Sequence, residues 1–263
     1  MRNCKLLTLF AAGSLVLTAC QLFGDDKPAI DRWGGLLSEL RYQWDAAPGI
    51  DVTTGPAVPV RAFIESRMVA QSMGNLDYAY PGFTQAVPAD DPGDNAWDIR
   101  PNVNHPVSKA PVGTARYHIL SLARAAESVT ASVCYYRYSV ATEVDGGKFE
   151  SVASGSAAEP KGIDAERVTL AVPKESSSLP AQSGPSPAPN DDVFGNWQIT
   201  GYLFSTNQPG FQAQWPTYDA DVAKCVEKAP DSAERRNFLI NGEHPRSDFP
   251  TSPPSPGWPE PAK

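Results

Sequence analysis

Few residues of this chain combine a side-chain type and a context that specify chemistry, and the first of them is Cys20. Arg2 and Lys5 make a short positive segment, Leu6 to Leu17 make an apolar run, and Leu17-Thr18-Ala19 leads small residues into the cysteine. This is the pattern of a bacterial lipoprotein signal peptide, in which the thiol serves as acyl acceptor and the small residues before it fit the signal peptidase. A plain membrane anchor competes with that reading, but the run is short for a bilayer span. An ordinary secretory signal competes too, and does not require the cysteine. The pattern predicts residues 1–19 as the signal peptide and a diacylglyceryl group on Cys20. It puts the chain on the extracytoplasmic face of the cell membrane, because two acyl chains on one residue suffice for stable anchoring.

The remaining thiols follow from that assignment. Cys4 is lost with the signal and Cys20 is acylated, which leaves Cys134 and Cys225, 91 positions apart, in an oxidising compartment. An even pair outside the cytoplasm reads as a disulfide, worth roughly 4 to 5 kcal/mol as an upper figure by loop-closure entropy. Two buried free thiols are the competing reading. A catalytic thiol fits less well, since no histidine lies near either cysteine in sequence.

The other reactive types are dispersed. His105, His118 and His244 have no second ligand at metal spacing, so no zinc site is expected. No G-x-S-x-G elbow, P-loop or G-x-G-x-x-G fingerprint is present, and no cofactor is implied. Asp90, Asp91, Asp94, Asn95 and Asp98 form an acidic cluster that could attract calcium, but the spacing matches no EF-hand and a solvated acidic loop competes. Glu65 could act as an acid or base if a pocket opened beside it, against the commoner role of a solvated helix residue. What remains for a pocket is aromatic: Tyr117 and His118 at the head of a strand, with Tyr136 and Trp197 on neighbouring ones.

Charge narrows the partners. Removing Arg2 and Lys5 takes the formal net charge from −8 to −10. So acidic a chain argues against a phosphate-backbone partner and against a polybasic grip on anionic lipid, so no nucleic acid is expected and the membrane link is the acyl group.

The elements that must position these residues read as α+β. After a polar tether at 20–28, Asp31 can cap a helix whose stripe is Trp33, Leu36, Leu37, Leu40 and Trp44, with Gly34-Gly35 weakening its first turn. A second helix begins near Pro59 and buries Val60, Phe63, Ile64, Met68 and Met73, leaving Arg61, Glu65 and Arg67 toward water. Residues 74–98 are irregular. From Thr114 the pattern turns to strands: Tyr117 to Leu122 (though Leu120 to Glu127 could also be helical), then Ser128 to Val144, whose apolar face switches near Cys134 and so predicts a bend or bulge. Asp145-Gly146-Gly147 is a hairpin turn returning through Phe149 to Ala153, and strands follow at Ile163 to Val172 and Val193 to Ser205. Residues 174–192 read as a flexible loop rich in serine and proline. Asp219 to Lys228 forms a helix with Cys225 on its apolar face, and a further helical turn from Asp231 to Ile240 ends at Asn241-Gly242. The proline-rich 243–263 reads as a disordered tail closing a single domain at 29–242, although its P-x-x-P repeats also suit an aromatic groove.

Three stretches carry a likeness: Pro48 to Met68, Tyr80-Pro81-Gly82-Phe83, and the strand holding Val133-Cys134. Over roughly residues 30–240 the chain resembles a group of actinobacterial, chiefly mycobacterial, cell-envelope lipoproteins of unknown function. That implies a compartment and a disulfide, and no activity. More loosely, helices followed by long bent antiparallel strands resemble the NTF2-like, SnoaL-type fold, a curved sheet wrapping a pocket beneath helices. The expected function is a lipid-anchored envelope protein acting as a non-catalytic binding or scaffold module for a partner protein or small apolar ligand. The alternative is an NTF2-like hydrolase or isomerase using an Asp–His or Tyr–Asp pair, with Tyr117 and His118 as the residues to test. A buried, unpaired carboxylate or histidine in a pocket would favour catalysis, and an apolar pocket would favour binding.

Overall fold

The computed structural model describes residues 30–87, 99–156, 160–174, 179–204 and 210–261. Among these described residues, five α-helices and an eight-stranded sheet make an α+β fold. The strands are β1 (Leu40–Ala46), β2 (Pro111–Arg124), β3 (Ser128–Tyr136), β4 (Val140–Asp145), β5 (Lys148–Ser151), β6 (Ile163–Ala171), β7 (Gln198–Leu203) and β8 (His244–Pro245). Their order is β7-β6-β3-β2-β4-β5-β8, all antiparallel, and β1 pairs with β2 in parallel. Helix α1 (Ala57–Met73) lies within the larger core, on one side of the sheet, with the short α2 (Phe83–Ala86). On the other side α3 (Phe211–Gln214), α4 (Tyr218–Glu227) and α5 (Ala233–Ile240) close a second core.

The first expected helix is a correction. Residues 31–44 form a single 3-10 turn at Gly35–Leu37 and then β1. The alternation Leu40, Tyr42, Trp44 buries every second side chain, and it outweighs the three-and-four spacing that passes over Tyr42. Gly34-Gly35 gives the helix no stable start.

Helix α1 is present, but its expected wet face is not. Arg61 is 0% exposed, Glu65 2% and Arg67 6%. A helix buried all round is a core helix, and charges survive there only when their hydrogen bonds are supplied. Arg61 donates to the carbonyls of Val52, Gln182, Pro256 and Gly257 at 2.8 to 3.3 Å. Glu65 accepts from Trp44 Nε1 at 2.6 Å, and from the Tyr80 hydroxyl and Trp258 Nε1 at 2.8 Å each.

Four of those partners, Gln182, Pro256, Gly257 and Trp258, come from segments expected to be loose, which is a second correction. Of the 174–192 loop, Gln182 is buried and its amide donates to Thr53 O at 2.8 Å. In the C-terminal segment Phe249 and Trp258 are fully buried, and Ser186 and Trp258 exchange backbone hydrogen bonds at 2.8 and 3.0 Å. Ser255 O accepts from Trp44 N at 2.6 Å. Low hydrophobicity did not prevent order here, because Arg61 and β1 supply donors to a proline-rich backbone that can donate few hydrogen bonds of its own.

The long strand expected at 128–144 is broken into β3 and β4 at Arg137–Ser139. Both lie on the edge of β2 opposite β1, and the pairing shifts by one residue across the break, from Arg116↔Tyr136 to Gly113↔Val140. Gly113 permits the approach. Its φ is +108°, and a Cβ there would meet Ser139 O at 2.3 Å. The hairpin at Gly146-Gly147, with φ of +54° and +77°, joins β4 to β5 as its sequence requires. Cys134 on β3 and Cys225 on α4 form the disulfide with Cα atoms 5.3 Å apart, fastening the second helical layer to the sheet. Among the described residues no helix is long and apolar enough to cross a membrane. The acidic cluster at 90–98 lies outside the described residues, as do Cys20 and the tether.

Candidate functional site

The four residues expected to share a pocket are divided by the sheet. Tyr117 points to the α1 side, where its ring stacks on Trp44 at 4.4 Å and on Tyr135 at 4.6 Å. His118, the next residue of β2, belongs to the opposite side, and its Nδ1 lies 2.6 Å from Asp45 Oδ1. Its Nε2 is buried without a hydrogen-bond partner among the described residues. Tyr136 also faces the second core and donates to Cys225 O at 3.0 Å. Trp197 precedes β7 and packs in the α1 core. The expected Asp–His pair therefore exists as Asp45–His118, but the Asp45 side chain is 76% exposed. A shallow cleft of ≈ 240 Å³ beside it is lined by Trp44, Asp45, Arg116, Tyr117 and Tyr136. Among the described residues no nucleophile or second acid is hydrogen-bonded to His118 Nε2.

A larger cleft of ≈ 520 Å³ opens between the C-terminal half of α1 and the sheet, over β3, β6 and β7. Four elements build its floor and walls. From α1 comes Arg67, whose guanidinium lies 4.8 Å from the ring centre of Tyr202 on β7 and 4.9 Å from that of Phe204. From β3 comes Tyr135, with one face on Tyr117. From β6 come Asp164 and Glu166, two residues apart and so on one face of the strand. Arg137, in the break after β3, donates from Nε to Asp164 Oδ2 at 2.7 Å.

Glu166 is the chemically unusual member. It is 5% exposed, and its Oε2 has no hydrogen-bond partner among the described residues. Burial pushes its carboxyl up from the ordinary range to about 7; the nearby Arg67 guanidinium and a hydrogen bond from Tyr202 oppose that rise without cancelling it. Burial, and after it the charge of Glu166, push the Tyr202 hydroxyl well above its usual range. The cleft thus holds two guanidinium and two carboxyl groups, one of the latter able to take up or release a proton near neutrality. Among the described residues no group of three or more His, Cys, Asp or Glu side chains is placed to hold a metal ion.

Sequence reasoning passed over Glu166, Asp164 and Arg67, although a signal for two of them was present. Positions 164, 166, 168 and 170 of β6 share one face, and there Val168 and Leu170 are core while Asp164 and Glu166 are acids. Carboxylates in register with core residues mark a strand end that meets something polar. Arg67 carried no such mark, because nothing local says that both sides of α1 are covered.

Comparison of the chain with protein-family models, with curated protein sequences and with solved structures gives no match.

Proposed function

We propose that the chain is a lipid-anchored protein of the cell envelope acting as a non-catalytic binding module, and that its ligand seat is the cleft over β3, β6 and β7. The lipobox at Cys20 and the resemblance to actinobacterial envelope lipoproteins support the location. One observation supports the seat: Glu166 lines a cleft of ≈ 520 Å³, and its buried Oε2 has no hydrogen-bond partner among the described residues. An unsatisfied buried oxygen costs about 1 to 3 kcal/mol, which a ligand donating to it would recover. That cost favours a ligand with a polar edge over a wholly apolar one. Native mass spectrometry of the full chain after incubation with an envelope extract tests the reading. A small mass retained by the wild type and lost in Glu166→Gln supports it, and an identical bare mass for both sinks it.

A second reading, an NTF2-like hydrolase or isomerase, draws support from the same carboxyl. A group near 7 exchanges protons at working pH, as a general acid or base must. Under this reading turnover has an apparent pKa near 7 that disappears in Glu166→Gln. A rate unaffected by that substitution removes Glu166 from the chemistry.

A further inference from the structure

We infer that the ligand of this cleft is a neutral sugar ring, as part of a glycan; this rests on the reading of the cleft as a binding seat. Charge supplies the first argument. Arg67 and Arg137 face Asp164 and Glu166 around one opening, so a cationic ligand meets two guanidinium groups and an anionic ligand meets two carboxyl groups. A ligand without net charge avoids both penalties.

Hydrogen bonding supplies the second argument. Glu166 Oε2 is a buried acceptor without a donor among the described residues, and an amide nitrogen or a hydroxyl would satisfy it. Asn102 lines the same opening with a group that both donates and accepts. A ring bearing several hydroxyls, each a donor and an acceptor, matches such a lining, whereas a hydrocarbon leaves it unsatisfied.

Shape supplies the third. Tyr135 lies flat against Tyr117, with ring planes 7° apart, and lines the cleft, so it offers a flat apolar surface fixed in orientation. The C–H faces of a pyranose stack on such a surface while its equatorial hydroxyls reach the polar rim. Fixed aromatic surface with polar groups around it is the composition that orients a ligand amphipathic across its own plane.

The test is saturation-transfer difference NMR on the full chain in deuterated detergent. The neutral probes are maltotriose and triacetylchitotriose, with phenethylamine and phenylacetate as a charged, planar pair. Saturation transferred to sugar ring protons is expected for at least one neutral probe. Glu166→Gln and Tyr135→Leu should each weaken it about tenfold, with far-UV and near-UV circular dichroism unchanged. If Tyr135→Leu fails to fold, Phe204→Ala at the exposed rim serves as the second variant. Transfer to the amine or the carboxylate, sensitive to Glu166→Gln and without transfer to either sugar, overturns the sugar assignment and leaves the seat standing. No transfer to any of the four at millimolar concentration overturns both.

Discussion

Trp258 Nε1 donates to Glu65 Oε2 at 2.8 Å across 193 positions of sequence, and the Arg61 guanidinium lies 4.4 Å from the Trp258 ring centre. The C-terminal segment is thereby locked onto the core helix by a buried carboxylate, a guanidinium and an indole. Trp258→Ala removes the indole, its hydrogen bond and its stacking together, and should cost roughly 3 to 5 kcal/mol, read as a fall in the urea midpoint. Trp258→Phe keeps a ring beneath Arg61 and should fall between. A tail without a structural role would leave both midpoints at the wild-type value.

Arg61 is the counterpart on the helix. Its loss leaves four carbonyls without the Arg61 donors and removes the positive charge that does most to hold the Glu65 carboxyl down against burial, which pushes it up. Arg61→Met should cost about 3 to 5 kcal/mol, as removal of one member of a buried charged pair does. The double variant Arg61→Met, Glu65→Gln should be more stable than Arg61→Met alone, because the uncompensated carboxylate is gone. Additive losses in denaturant unfolding would show that the two residues do not act as a pair.

These two residues also show where the sequence could and could not be read. The strand content from β2 to β7, though not the break between β3 and β4, the hairpin at Gly146-Gly147, the pairing of Cys134 with Cys225 and helices α4 and α5 follow from local signals: alternation, turn residues, cysteine arithmetic. The environment of α1 does not. Arg61, Glu65 and Arg67 sit at spacings that local reasoning assigns to solvent, and only contacts with residues 182, 202, 256 and 258 reverse that. The same non-local cause explains β1, which is a strand because β2 offers it a parallel edge more than seventy positions away. It explains the cleft as well, since Glu166 becomes unusual through burial against α1 rather than through any motif around it.

The anchor is tested apart from the fold. Cys20→Ala removes the acyl acceptor, so metabolic labelling with an alkyne fatty acid should mark the wild type and not the variant. The variant should also partition into the aqueous phase on detergent phase separation. Equal labelling of both would place the lipid elsewhere, and labelling of neither would refute the lipobox.

Glu166 makes stability depend on pH in a calculable sense. Its carboxyl is near 4.5 in the unfolded chain and about 7 in the folded one. Between those values the folded state therefore binds more protons than the unfolded state, and stability must fall as pH rises. The contribution is fully present below about pH 4.5 and lost as pH passes through about 7, amounting to about 3 kcal/mol at most. Glu166→Gln cannot ionise and lacks this slope. The stability difference between variant and wild type, from urea unfolding at several pH values, should shift in favour of Glu166→Gln across that window and level off above it. A difference that stays constant from pH 4.5 to 8 would mean that the Glu166 carboxyl titrates normally, and it would remove the physical basis for placing a proton-exchanging group in the cleft.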